Sequence, residues 1–314
     1  MKRSILFSLL MLIILAPIVA NTDDNTTAEG SEESPISSTE SASSIEEPIM
    51  ITESEEDNTP LEALEDPLLS STEPSPSKKV VITPPGNTTI SGVNGYLVIP
   101  SAEPAPAGKG TSITTGYSGI FSTDGYAHVP FVQVGFADIA EVSLAVDIEK
   151  ETDLLLNAKW RFSHRKGTSM AVGVVGQLID VGTEKDLAAQ LYFASTFSSS
   201  IMDFSSKTTV LLGYTFHKDL NTNIDFGIAF QTPFFPTAFK EKMAFLLDFG
   251  NVSYSVDPSA GEAENRGLVN VGLRLLPVKV LNSVYLTADI RALDLFDHKG
   301  RALSIGVTLA FRPN

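Results

Sequence analysis

From about Gly110 to the C-terminus, segments of roughly ten residues recur in which apolar side chains alternate with small or polar ones. The last copy is the clearest. Leu303, Ile305, Val307, Leu309 and Phe311 share one face, and Ser304, Gly306, Thr308, Ala310 and Arg312 the other. A pleated strand turns each side chain away from its neighbour, so period-2 alternation marks strands. Strands of this kind need their apolar faces covered and their backbone groups paired. That limits the chain to a sandwich or barrel in water, or a closed barrel in lipid.

Alternation and turn residues predict twelve strands, near 110–121, 128–136, 140–149, 153–163, 168–180, 187–198, 206–217, 222–231, 243–256, 266–276, 283–293 and 301–312. An even number suits a single-chain bacterial barrel with both termini on the periplasmic side. The connections read as short and rich in turn residues, as in Lys166-Gly167, Asp257-Pro258-Ser259 and His298-Lys299-Gly300. No amphipathic helical stretch is present to cross between parallel strands, so an antiparallel meander is expected. Parity changes within 243–256: Met243, Phe245, Leu247 and Phe249 are followed by Val252, Tyr254 and Val256, which predicts a bulge near Gly250-Asn251.

One face of each strand is apolar and the other carries charges in mid-strand. Val142, Leu144, Val146 and Ile148 oppose Ser143, Ala145, Asp147 and Glu149; Ile224, Phe226, Ile228 and Phe230 oppose Asp225, Gly227, Ala229 and Gln231. The polar face consists largely of Gly, Ala, Ser and Thr, whereas the water-exposed side of a soluble sheet usually carries many Lys and Glu. The expected fold is therefore all-β, an antiparallel up-and-down transmembrane β-barrel of about twelve strands, within a range of roughly 10–14. A soluble exported β-domain shares the alternation and would differ by extracting into water without detergent.

Composition places the rest of the chain. Met1-Lys2-Arg3, the apolar run Ile5 to Ile14 and Ile18-Val19-Ala20 read as a signal peptide over 1–20. Cysteine is absent, which excludes disulfides, thiolate metal sites and a lipid-modified N-terminal cysteine. The net charge of -16 belongs to one segment. Residues 21–77 hold sixteen Asp and Glu and no base, leaving 22 acids against 20 bases from residue 78 onward. Rich in Ser, Thr, Glu and Pro, residues 21–85 read as a disordered acidic arm. The short apolar islands Pro48 to Ile51 and Leu61 to Leu69 offer a periplasmic partner something to dock on. Residues 86–109 form a lead-in to the barrel at 110–314, read as a first, partly lumenal strand or a plug.

On this facing, Asp147, Glu149, Asp225, Asp248 and Asp289 point inward together with Lys159, Arg161, Arg274, Arg291 and Arg312. Balanced signs suit side chains that pair and brace the wall, whereas a selective pore concentrates one sign along its path. Either role remains open. The four histidines, His128, His164, His217 and His298, have no ligand-like spacing, and neither a catalytic set nor a phosphate-binding glycine loop emerges. No catalytic, cofactor or metal site is expected, and no basic, aromatic-interleaved face for nucleic acid.

Two stretches carry a resemblance. Val134-Gly135-Phe136-Ala137-Asp138-Ile139-Ala140-Glu141-Val142 resembles a glycine, turn-Asp, Glu-apolar hairpin of bacterial outer-membrane β-barrels. Gly92 to Ala102, followed by Gly108 or Gly110 and a strand, is similar to a motif of an outer-membrane barrel family linked to exopolysaccharide production or export. The terminal strand resembles the barrel-assembly signal, with Arg312-Pro313-Asn314 following the aromatic Phe311. The terminal-strand resemblance implies delivery by the barrel-assembly machinery. The barrel reading itself predicts a monomer in outer-membrane lipid with its arm in the periplasm, non-enzymatic: a small solute channel or an envelope structural protein. The alternatives are a polysaccharide-associated barrel and a docking protein acting through its arm.

Overall fold

A computed structural model describes residues 86–313 apart from 124, 151, 183–185, 202–203, 218–223, 253–266 and 298–299. The signal-peptide and acidic-arm readings lie outside these residues.

Twelve strands follow in chain order: β1 (Thr111–Ser122), β2 (Tyr126–Phe136), β3 (Ala140–Ile148), β4 (Thr152–Arg165), β5 (Thr168–Ile179), β6 (Asp186–Ile201), β7 (Phe204–Phe216), β8 (Ile224–Pro233), β9 (Met243–Gly250), β10 (Leu268–Leu281), β11 (Val284–Leu293) and β12 (Ala302–Phe311). A four-residue helix, α1 (Pro236–Phe239), lies between β8 and β9. Each strand pairs antiparallel with the next, and β1 pairs with β12 from Ile113↔Phe311 to Ser122↔Ala302. The sheet is thus a closed barrel with no free edge along its length.

The outer face is apolar. Val142, Leu144 and Leu156 on β3 and β4, and Leu303, Ile305 and Val307 on β12, all stand exposed, as does Trp160 at 55%. Uncovered apolar surface on this scale, wrapped round a closed barrel, is what a bilayer requires of a protein exterior. The intervening residues point inward and are buried, among them Ser112, Thr114, Ser143, Asn157, Thr209, Ser304 and Thr308.

The two barrel ends differ. At the end carrying the termini the connections span 137–139, 166–167, 202–203, 234–242 and 282–283; at the opposite end, the loop end, they span 123–125, 149–151, 180–185, 217–223, 251–267 and 294–301. The turn reading at Asp257-Pro258-Ser259, and the Tyr254 and Val256 part of the predicted parity change, lie outside the described residues. β9 ends at Gly250, and at Asn251 backbone and side chain share the next contacts with β8: Asn251 N–H donates to Phe226 O at 3.1 Å, its Oδ1 accepts Phe226 N–H at 2.6 Å and its Nδ2 donates to Ile224 O at 3.3 Å. Register shifts occur between Arg161 and Ser163 in β4, and at 275–278 and 279–281 in β10, where Pro277 lies beyond the last β9 partner, Leu275.

Candidate functional site: a plugged lumen

Residues 86–107 lie inside the barrel, and Gly108 and Lys109 lead out to β1. The segment folds on itself as a double turn, with Thr89 N–H donating to Val93 O, Ile90 N–H to Leu97 O, Tyr96 N–H to Ile99 O and Ser101 N–H to Asn94 O. Gly92 sits at φ +78, and a Cβ there would stand 2.5 Å from the Phe131 ring, so only glycine fits this turn. The chain then runs to the end carrying the termini. There Asp138 Oδ1, in the β2–β3 turn, accepts Ala107 N–H at 2.5 Å and Gly108 N–H at 2.7 Å.

Charged wall residues hold the backbone of this plug. One Asp248 oxygen accepts three successive N–H groups, from Leu97, Val98 and Ile99, at 3.1, 2.7 and 2.9 Å. Arg274 donates to three carbonyls: Gly95 O at 2.9 Å, and Thr88 O and Tyr96 O at 2.6 Å. Glu141 accepts Asn94 N–H at 3.0 Å and Ala105 N–H at 2.6 Å, while Lys159 donates to Asn94 O and Ser101 O at 2.8 Å. The wall groups also pair among themselves. Lys159 lies 2.9 Å from Glu141, and Asp289 lies 3.4 Å from Arg274 Nε and 2.7 Å from Arg291 Nε. Three carboxylates and three bases are thereby buried together, each within reach of an opposite charge or of plug amides.

Hydroxyls and apolar groups complete the seat. Ala102 N–H donates to Thr196 Oγ1, which lies 2.6 Å from Thr209 Oγ1, itself 2.9 Å from the Tyr96 hydroxyl. Burial raises the Tyr96 phenol above its ordinary range, so it stays neutral. Leu97 and Ile99 press against wall glycines: a Cβ on Gly272 would stand 2.6 Å from Leu97 Cδ2, and one on Gly227 would stand 2.7 Å from Ile99 Cδ1. Small lumen-facing residues therefore match the plug's side chains rather than a merely narrow bore.

The predicted lumen charges fall into three groups. Lys159, Asp248, Arg274, Asp289 and Arg291 are buried at the plug. Asp147 and Asp225 are buried toward the loop end; Asp147 faces Asp153 across β3 and β4, and Asp225 accepts Gln190 Nε2 at 2.8 Å and Thr215 Oγ1 at 2.6 Å. Three others lie away from the plug's centre, Arg312 with its guanidinium beside Gly108. Glu149 is exposed just past the end of β3, because its strand stops one residue before the alternation does. Arg161 is half-buried at the β4 bulge, and Arg312 is half-buried past the end of β12.

Sequence reasoning passed over Glu141 and Asp153, although both share parity with inward neighbours, and over Glu103, which meets Lys207 at 2.5 Å. Among the histidines, His164 Nδ1 lies 2.8 Å from Ser169 Oγ, but Ser169 is buried in the wall; His217 pairs with Asp186 at 2.9 Å.

No family model matches the sequence, and no curated protein matches it. Among solved structures the chain is similar to the KdgM porin, at 9% identity and a TM-score of 0.44 over 64% of this chain and 99% of that one. It is similar to the NanC porin at 8% identity and a TM-score of 0.41, over 65% and 100%. The Acinetobacter baumannii outer membrane protein Omp33 matches at 8% identity and a TM-score of 0.39, over 66% and 100%. At these distances the barrel reading rests on the closed sheet itself.

Proposed function

We propose that the protein is a monomeric, non-enzymatic outer-membrane channel for small solutes, held shut by its own plug. The apolar outer face supports the membrane location. Short connections at the end carrying the termini and longer ones at the other support a periplasmic N-terminus. The observation that carries the reading is the polar character of the plug's seat. Asp248, Arg274, Glu141 and Lys159 hold backbone groups that water can replace, so withdrawal would leave a wall of charges and hydroxyls suited to a hydrated pore. A structural or docking role is the second reading, favoured by how completely the plug's polar groups are engaged. The polysaccharide link rests on Gly92 to Ala102, the stretch that forms the plug's centre, and any export through the barrel would likewise require its displacement.

Planar-bilayer recording with the full chain and with a variant lacking 86–106 tests the channel. Near-silence from the full chain and clear conductance steps from the deletion are expected. A deletion variant that retains heat-modifiable migration, the sign of a folded barrel, yet passes neither current nor solute overturns the reading in favour of the structural one.

A further inference from the structure

We propose that the barrel end carrying the termini binds anionic phospholipid headgroups through a basic rim centred on β8 to β11. The proposal rests on the membrane reading above and goes beyond it by assigning a ligand class to one sector of the rim.

Charge is sorted between the two ends. Exposed Lys240 and Lys242 lie in the β8–β9 connection, Lys279 near the end of β10, Lys109 ahead of β1, and Arg165 and Lys166 at the β4–β5 turn. Among the described residues at this end, the exposed acid is Glu241, while Asp138 is engaged with the plug's N–H groups. Among the described residues at the loop end, exposed Glu149 and Asp297 offset Lys150 and Arg301.

The bases stand where a headgroup layer would meet the barrel. Just inboard of them, Trp160, Phe162 and Phe311 are exposed on the outer face, as expected of a belt at a membrane interface. Long basic side chains at that height keep their stems on apolar surface and their heads among phosphates.

One sector is also shaped for a lipid. β10 overruns β9 by six residues, from Leu276 to Leu281, and its pairing with β11 shifts register twice over that stretch. Between the β10–β11 hairpin and the end of β12 lies a concavity of about 580 Å³, walled by Val280, Leu281, Val284 and Phe311 with Lys279 at its edge. Val280 and Leu281 are each 56% exposed, and their surface continues the barrel's apolar outer face. An acyl chain against that wall places a phosphate beside Lys279, with Lys240 and Lys242 on the neighbouring connection.

The test places the full chain in nanodiscs of phosphatidylcholine alone or mixed equally with phosphatidylglycerol, and native mass spectrometry reads the lipids retained. Phosphatidylglycerol should be retained over phosphatidylcholine by about tenfold at low salt. The preference should fall toward parity in the Lys240→Glu/Lys242→Glu/Lys279→Glu variant and persist in Lys150→Glu/Arg301→Glu at the loop end. All five positions are exposed, and Lys→Gln replacements at the rim give a milder second series. Equal retention of the two lipids by the unaltered protein, or an undiminished preference in the rim variant, overturns the proposal while leaving the membrane reading intact. A protein that enters neither bilayer overturns both.

Discussion

Asp225 on β8 and Asp248 on β9 lie on neighbouring strands, are both fully buried and both point into the lumen. Their partners differ in kind. Asp225 takes its hydrogen bonds from Gln190 and Thr215, side chains of the wall itself, whereas Asp248 takes three from the backbone of the plug. The same residue type, with the same parity, braces the sheet toward the loop end and carries the plug at mid-barrel. Position along the barrel axis, rather than inward direction, decides which task a carboxylate has.

The comparison breaks most easily at Asp248. In Asp248→Ala, three plug N–H groups lose their acceptor in a buried site and Arg274 loses a nearby negative charge, an expected loss of about 3–5 kcal/mol. Amide exchange at Leu97, Val98 and Ile99 should rise sharply while strand amides stay protected. Unchanged exchange at those three amides would show that the plug does not hang on this carboxylate. Gly272→Leu tests the apolar side of the seat. A side chain there meets Leu97, and overpacking should cost about 1–3 kcal/mol in urea unfolding from lipid vesicles, with conductance appearing if the plug shifts. The smallest effect belongs to Asp225→Asn, which keeps an acceptor for Thr215 and should cost about 1 kcal/mol or less without altering exchange at Leu97. A plug loosened by Asp225→Asn would erase the distinction between the two carboxylates.

Strands were legible because lipid and lumen impose opposite demands on alternate residues, so the pattern repeats in every segment. The misplaced boundaries have side-chain causes. At the end of β9 the Asn251 side-chain oxygen takes the place of its own carbonyl as acceptor for Phe226 N–H, and Pro277 with its flanking register shifts lets β10 run on without a β9 partner. Parity carried one residue past the strand puts Glu149 inward, whereas β3 ends at Ile148 and Glu149 stands exposed beyond it. Parity also located Asp248 and Arg274 on the inner face, but it named no partner for them. Those partners belong to a double turn with no period of its own. Its contacts reach as far as Thr88 to Thr308, 220 residues apart, and no local pattern encodes them.

The plug touches both ends of the sheet. Glu141 and Lys159, on β3 and β4, hold Asn94, whereas Arg274 and Thr308, on β10 and β12, meet Thr88. During biogenesis the early strands can offer only half of these handholds, and the other half arrives with the last strands to be made. Full seating therefore waits until β12 has come round to β1. Closing the ring and filling it become a single event, in which a segment made before every strand is among the last to settle.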